Sequence, residues 1–160
     1  LSWDTAEWLA KVNLAAKKNP YLQKILSGSK AEVTGIYNGY KGRVDLVGND
    51  GFLWDLKTTG DALDSNALLR TVQKYGMPFQ AAHYMYVLKK CGIDVKGFGW
   101  IFVSKSTPYP HILIRTCPQK LMAEGIKDHQ YALKKYAECT QTDDWQCMAQ
   151  APQELNSFYD

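Results

Sequence analysis

Two carboxylates and an ammonium group carry the chemistry that this sequence offers. Asp45 and Asp55 are separated by nine residues, and Lys57 follows two positions after the second acid. Gly42 to Val47 and Phe52 to Thr58 are rich in β-branched and aromatic residues, which favour strands. Asn49-Asp50-Gly51 between them is a turn signal, with Gly supplying positive φ. A three-residue loop pairs 48 with 52, 47 with 53 and 45 with 55, putting the acids opposite each other with Cβ atoms roughly 5 Å apart. Side chains alternate along a strand, so Lys57 shares the face of Asp55 and Leu56 points the other way, into the core. The same register sets Arg43 opposite Lys57. Two acids abreast and two bases abreast destabilise a hairpin but suit Mg²⁺ between the acids and a phosphate between the bases. A salt bridge from Lys57 to one carboxylate is the plain structural alternative, and it leaves the second acid unpaired.

Further groups support this set. Glu32 opens the first strand, where its carboxylate can reach Asp45 as a third ligand or stay solvated. Gln80 and Tyr84 stand four apart on one helix face, a spacing for a side-chain hydrogen bond. Arg70 and Lys74 follow the hairpin on a helix, either as phosphate contacts or as a solvated face. His83, His111 and His129 have no metal-ligand spacing and receive no role. Cys91, Cys117, Cys139 and Cys147 lack the close CxxC spacing of zinc and iron–sulfur sites, so reduced structural thiols are expected. A disulfide between Cys139 and Cys147 stays open.

The elements that must position these groups follow from local signals. A helix is expected from Asp4 to Lys18, opened by an Asp4-x-x-Glu7 capping box and closed by Asn19-Pro20. Another short helix covers Tyr21 to Leu26. Strands follow at about 31–37, 41–48 and 52–58. Asp64 or Ser65 caps a helix to Tyr75, and Pro78 suits the first turn of the next one, which reaches Lys90. Strands near 97–103 and 110–116 precede a long helix from Pro118 to Cys139, with an edge strand expected near 153–158. The order α-βββ-αα-ββ-α implies an α/β fold, a mixed central sheet flanked by helices.

At 160 residues and 46% hydrophobic, the chain reads as a single domain. A net charge of +3 permits a nucleic-acid partner without requiring one. No apolar run approaches membrane-spanning length and no signal-peptide pattern opens the chain, so a cytoplasmic protein is expected. The start at Leu1 suggests a fragment of something longer.

Asp45-x9-Asp55-Leu56-Lys57-Thr58-Thr59 followed by Gln80-x3-Tyr84 resembles the PD-(D/E)XK nuclease superfamily in its RecB-like branch. Lys41-Gly42-Arg43-Val44-Asp45, Lys74-Tyr75-Gly76, Gln80-Ala81-Ala82-His83-Tyr84 and the tail from Tyr136 through Trp145 look most like the exodeoxyribonuclease VIII type, the RecE-like exonucleases of phages and prophages. The resemblance covers roughly residues 30–158 and implies a restriction-endonuclease-like core. It implies that Asp45, Asp55, Glu32 and the Leu56 carbonyl hold Mg²⁺ or Mn²⁺. It further implies that Lys57 orients or deprotonates the attacking water, with Gln80 and Tyr84 in support; Arg43 beside Lys57, and Arg70 and Lys74 on the helix, are the candidate DNA contacts that the residues themselves offer. The implied activity is exonucleolytic hydrolysis of linear double-stranded DNA from the 5′ end. A ring-like homo-oligomer and a single-strand annealing protein are the implied partners. Val44 stands where the superfamily's name has Pro, no histidine precedes His83, and the N-terminal region that grips DNA in this family is short or missing. A Cas4-like or endonucleolytic RecB-like nuclease and a catalytically silent DNA-binding module are the alternatives.

Overall fold

The turn at Asn49-Asp50-Gly51 sets the register of everything around it. In the computed structural model, which describes residues 3–60, 64–105 and 109–145, Gly48 N–H donates to Phe52 O at 2.8 Å, so the loop is the expected three residues. Asp50 closes it, its carboxylate accepting from Phe52 N–H at 3.0 Å, and Gly51 takes φ 82°. The strands on either side are β2 (Tyr40–Val47) and β3 (Phe52–Thr59), preceded by β1 (Lys30–Tyr37). Two more strands, β4 (Gly97–Ser104) and β5 (Ile112–Thr116), complete a five-stranded sheet in the order β1-β2-β3-β4-β5. Among the described residues only β3 and β4 pair in parallel, and the crossover between them includes the helix pair α3 (Ser65–Lys74) and α4 (Met77–Lys90). The expected mixed α/β sheet is thus the observed one.

Helices cover both faces. Leu68, Val72, Ala81 and Leu88 from α3 and α4 pack on Val44, Leu53, Phe98, Trp100 and Phe102. On the other face, α1 (Trp3–Lys18) and α2 (Pro20–Leu26) bring Ala16, Leu22 and Ile25 against Trp54 and Ile101. Asp64 caps α3 as expected, its carboxylate accepting from Asn66 and Ala67 N–H. The capping box expected at Asp4 is not formed. Helix α1 already includes Trp3, so Asp4 lies in the first turn, and Glu7 pairs instead with Lys11 at 2.8 Å. Two glycines let α4 approach the sheet: a Cβ on Gly42 would lie 3.2 Å from the Tyr84 ring, and one on Gly35 would lie 2.8 Å from Leu88.

The chain divides after His129 into two units. Helix α5 (Gln119–Thr142) spans the division. Within the second unit, Lys135 pairs with Glu138 at 2.8 Å, and the Tyr136 and Trp145 rings meet edge-on. Cys91, Cys117 and Cys139 are free thiols. Cys147 and the edge strand expected near 153–158 lie outside the described residues.

Candidate active site

The sheet forks at the acidic pair. Strands β2 and β3 pair at Val47↔Leu53 and Leu46↔Trp54, and there their ladder ends. Beyond this point β2 continues against β1, and β3 continues against β4 through Thr59↔Ser104. The expected 45↔55 pair is therefore the first position past the ladder rather than part of it. Asp45 bridges the opening with its side chain: its carboxylate accepts from Leu56 N–H at 2.6 Å. That bond supplies the β3 donor with the partner that β2 backbone no longer provides.

The fork also disturbs the alternation of β2. Val44 and Val47, three positions apart, both pack toward α3 and α4, while Leu46 packs toward α2. Across from Asp45 the same irregularity marks β1, where Glu32 holds φ 54° between the pairs Ala31↔Leu46 and Val33↔Val44. A left-handed glutamate costs roughly 1 kcal/mol or more, so the surrounding ladder imposes it.

Asp55 is buried, and Lys57 Nζ sits 2.6 Å from its Oδ2 on the same face of β3. Apart from that ion pair, Oδ2 has no hydrogen-bond partner. Burial pushes the Asp55 carboxyl above its usual range; the hydrogen bond and charge of Lys57 oppose this, and the charge of Asp45 adds to it. A buried carboxylate with one cation and a second acid beside it is under-neutralised.

Two expectations fail at this fork. Leu56 does not enter the core: it is half-exposed and lines an apolar groove with Val12, Ala16 and Ile101. Arg43 does not face Lys57, because β2 and β3 have separated by then. Its Cα partner is Thr34, and its guanidinium binds Glu32 at 3.2 Å. Glu32 does reach the neighbourhood of Asp45, since both line the same groove, but its carboxylate is turned to Arg43.

Helix α4 brings the remaining pair. Gln80 Nε2 donates to Tyr84 Oη at 3.1 Å, the bond that their spacing predicts. Gln80 and Lys57 line one cavity of about 700 Å³ between the end of β3, the end of α3 and the start of α4. Exposed Arg70 and Lys74 lie on α3, with Lys74 Nζ 5.3 Å from the centre of the Tyr75 ring. Tyr75 and Phe79 also line the cavity, and sequence reading gave neither a role. Nothing in their spacing marked them, because the cavity that they share forms only when α3 and α4 fold against β3. His83, also without an assigned role, ties α4 to β2 and α5: its Nε2 lies 3.0 Å from Lys41 O and its Nδ1 3.1 Å from His129 Nε2.

The donor set fits a hard divalent cation. Asp45, Asp55, Glu32 and the Leu56 carbonyl are all oxygen donors, the ligand class of Mg²⁺ and Mn²⁺. Among the described residues no three His, Cys, Asp or Glu side chains converge closely enough to hold an ion by themselves, in keeping with Glu32 being engaged by Arg43.

Comparison with known proteins bears on this arrangement. The family described as "PDDEXK-like domain of unknown function (DUF3799)" matches residues 5–153. No curated protein matches. Among solved structures, a candidate exonuclease from Eubacterium rectale superposes with a TM-score of 0.70 at 14% identity, over 98% of this chain and 65% of its own. This chain therefore spans about two thirds of that protein's length. A phage-related exonuclease from Haemophilus somnus 129PT gives a TM-score of 0.49 at 15% identity, over 86% of this chain and 73% of its own. The family match over nearly the whole chain, on a fold with Asp45, Asp55 and Lys57 at its fork, shows that the protein belongs to the PDDEXK-like family of the PD-(D/E)XK superfamily.

Proposed function

We propose that this domain is a divalent-metal-dependent deoxyribonuclease, hydrolysing phosphodiester bonds of linear double-stranded DNA from an end, in the 5′ to 3′ direction, in recombination. The observation that carries this reading is the fork. It brings Asp45, Asp55 and Lys57 to one opening in the sheet, with Gln80 and Lys57 lining a common cavity.

Asp45 and Asp55, with the Leu56 carbonyl and Glu32, would hold the cation. When bound, a divalent ion lowers the pKa of a coordinated water and offsets charge building on the phosphate oxygens. The chain's own residues do the rest. Asp45 is fixed by the Leu56 N–H, so its carboxylate is positioned before substrate arrives. Lys57 is paired with Asp55; with that carboxylate engaged in holding a cation, the ammonium would be free to donate toward the phosphate or the attacking water. Gln80, held by Tyr84, presents an amide beside Lys57. Arg70 and Lys74 are exposed cations available to backbone phosphates, and Arg43 would join them once Glu32 turned from it toward a cation.

Among the described residues no helix is long and apolar enough to cross a membrane. A cytoplasmic location, a single domain over 1–160, a homo-oligomer around DNA and a single-strand annealing partner complete the proposal. Incubation of end-labelled linear duplex and closed circular DNA with protein and Mg²⁺ tests it. Release of label from linear DNA alone, lost in Lys57→Ala and Asp55→Ala, is the expected result. Cutting of circles would replace the exonuclease reading with an endonucleolytic one, and the absence of metal-dependent digestion would overturn both.

A further inference from the structure

The cavity beside Lys57 has features that phosphodiester hydrolysis alone does not require. It holds about 700 Å³, within the range of sites that enclose one nucleotide-sized group. Its wall on one side is the polar end of β3, from Lys57 through Thr59. Two aromatic residues also line it, Tyr75 at 65% exposure and Phe79 at 39%. Among the described residues no carboxylate lines it. Its charged wall residue is the ammonium of Lys57.

Packing accounts for neither exposed surface: Phe79 meets the His129 ring edge-on at 5.7 Å and still leaves part of its ring open. In α4 the buried stripe runs through Met77, Pro78, Ala81 and Ala82, and Phe79 lies off it. Tyr75 caps the end of α3 and leaves most of its ring in solvent. Exposing two aromatic surfaces at the mouth of a cavity forgoes the gain from burying them, unless a ligand covers them. A cation and flat π surfaces lining one cavity match a nucleotide, whose phosphate is anionic and whose base stacks on aromatic rings in a sequence-tolerant way. The Lys74 ammonium near the Tyr75 ring adds positive charge at the same mouth.

We propose that this cavity is the subsite for one nucleotide of the strand being cut, its base stacked on Tyr75 and Phe79 and its phosphate directed to Lys57. The inference rests on the nuclease reading above and deepens it by assigning two specificity-determining residues. An internal base of a duplex has both faces covered by its neighbours, so the rings can stack only on a base at an end, whose outer face is open. The cleft therefore takes the terminal nucleotide, and Tyr75 and Phe79 hold it by stacking.

The test uses a linear duplex whose terminal nucleotide on one strand is 2-aminopurine, with Ca²⁺ in place of Mg²⁺ for binding and Mg²⁺ for turnover. Wild-type protein is expected to quench the probe by stacking. Tyr75→Ala with Phe79→Ala is expected to abolish the quench and raise KM about tenfold, with kcat changed less than about threefold. Tyr75→Phe keeps a stacking ring and is expected to retain both quench and KM. Circular dichroism on each variant separates misfolding from lost stacking. Wild-type hydrolysis with a quench and KM unaffected by the double substitution overturns this inference and leaves the nuclease reading standing. No metal-dependent hydrolysis by wild type overturns the nuclease reading itself.

Discussion

Asp45 and Leu56 are joined by a 2.6 Å hydrogen bond from backbone N–H to carboxylate, at the point where β2 and β3 stop pairing. The bond makes one side chain serve as both sheet closure and candidate ligand. Asp45→Ala is therefore expected to lose activity and also to cost about 1–3 kcal/mol, because Leu56 N–H loses its partner. Chemical denaturation of the variant beside its parent measures the second effect.

Asp55 has the opposite balance. Its carboxyl pKa is raised above the usual 3.8, chiefly by burial. Such a group contributes stability that is present below its unfolded pKa and lost as pH rises through the folded one. At neutral pH the ionised form is thus a burden on the fold. Asp55→Asn is expected to melt no lower than the parent without metal, and to be inactive. Added Mg²⁺ is expected to raise the melting temperature of the parent but not of the variant, since only the parent binds it.

His129 supplies a pH dependence remote from the fork. Burial, and then the charge of His83, hold its pKa below the usual 6.5. The stability that it contributes is present above 6.5 and is lost as pH falls from there through the lower folded value. The urea midpoint is expected to drop between pH 7.5 and pH 5. In His129→Gln that drop is expected to shrink.

Glycine positions report on helix approach. A Cβ at Gly125 would fall 2.2 Å from Pro78 O, a backbone atom that cannot step aside. Gly125→Ala is expected to destabilise by about 3 kcal/mol. At Gly42 the nearest neighbour is the Tyr84 ring at 3.2 Å, so Gly42→Ala is expected to cost about 1 kcal/mol. It is also expected to displace the Gln80–Tyr84 pair, which a fall in kcat would register.

Glu32 is strained at φ 54°, and its ion pair with Arg43 is exposed and weak. Glu32→Gly is expected to stabilise the protein by up to about 1 kcal/mol while weakening its response to Mg²⁺. A thermal melt with and without metal reads both effects.

Where the signal was local, the sequence was legible. Asn49-Asp50-Gly51 defines a three-residue loop, Asp64 caps α3, and Gln80 meets Tyr84, because each depends on neighbours a few positions away. The fork was not legible, since strict alternation assumes a continuous ladder. That assumption buried Leu56 and set Arg43 against Lys57, whereas β2 and β3 part after Leu46↔Trp54. The departure is visible only with Glu32 in a left-handed backbone on the neighbouring strand. The contact between His83 and His129 joins residues 46 positions apart and had no local signature. Tyr75 and Phe79 belong to the same category, since their common cavity exists only once α3 and α4 are folded against β3.

The central claim is that the fork holding Asp45, Asp55 and Lys57 hydrolyses DNA. The most direct measurement is the rate of nucleotide release from linear duplex DNA at saturating Mg²⁺, wild type against a folded Lys57→Ala. A fall of roughly a thousandfold is predicted, the scale set by removing one charge-stabilising donor from a preorganised site. Equal rates in the two proteins would contradict the account.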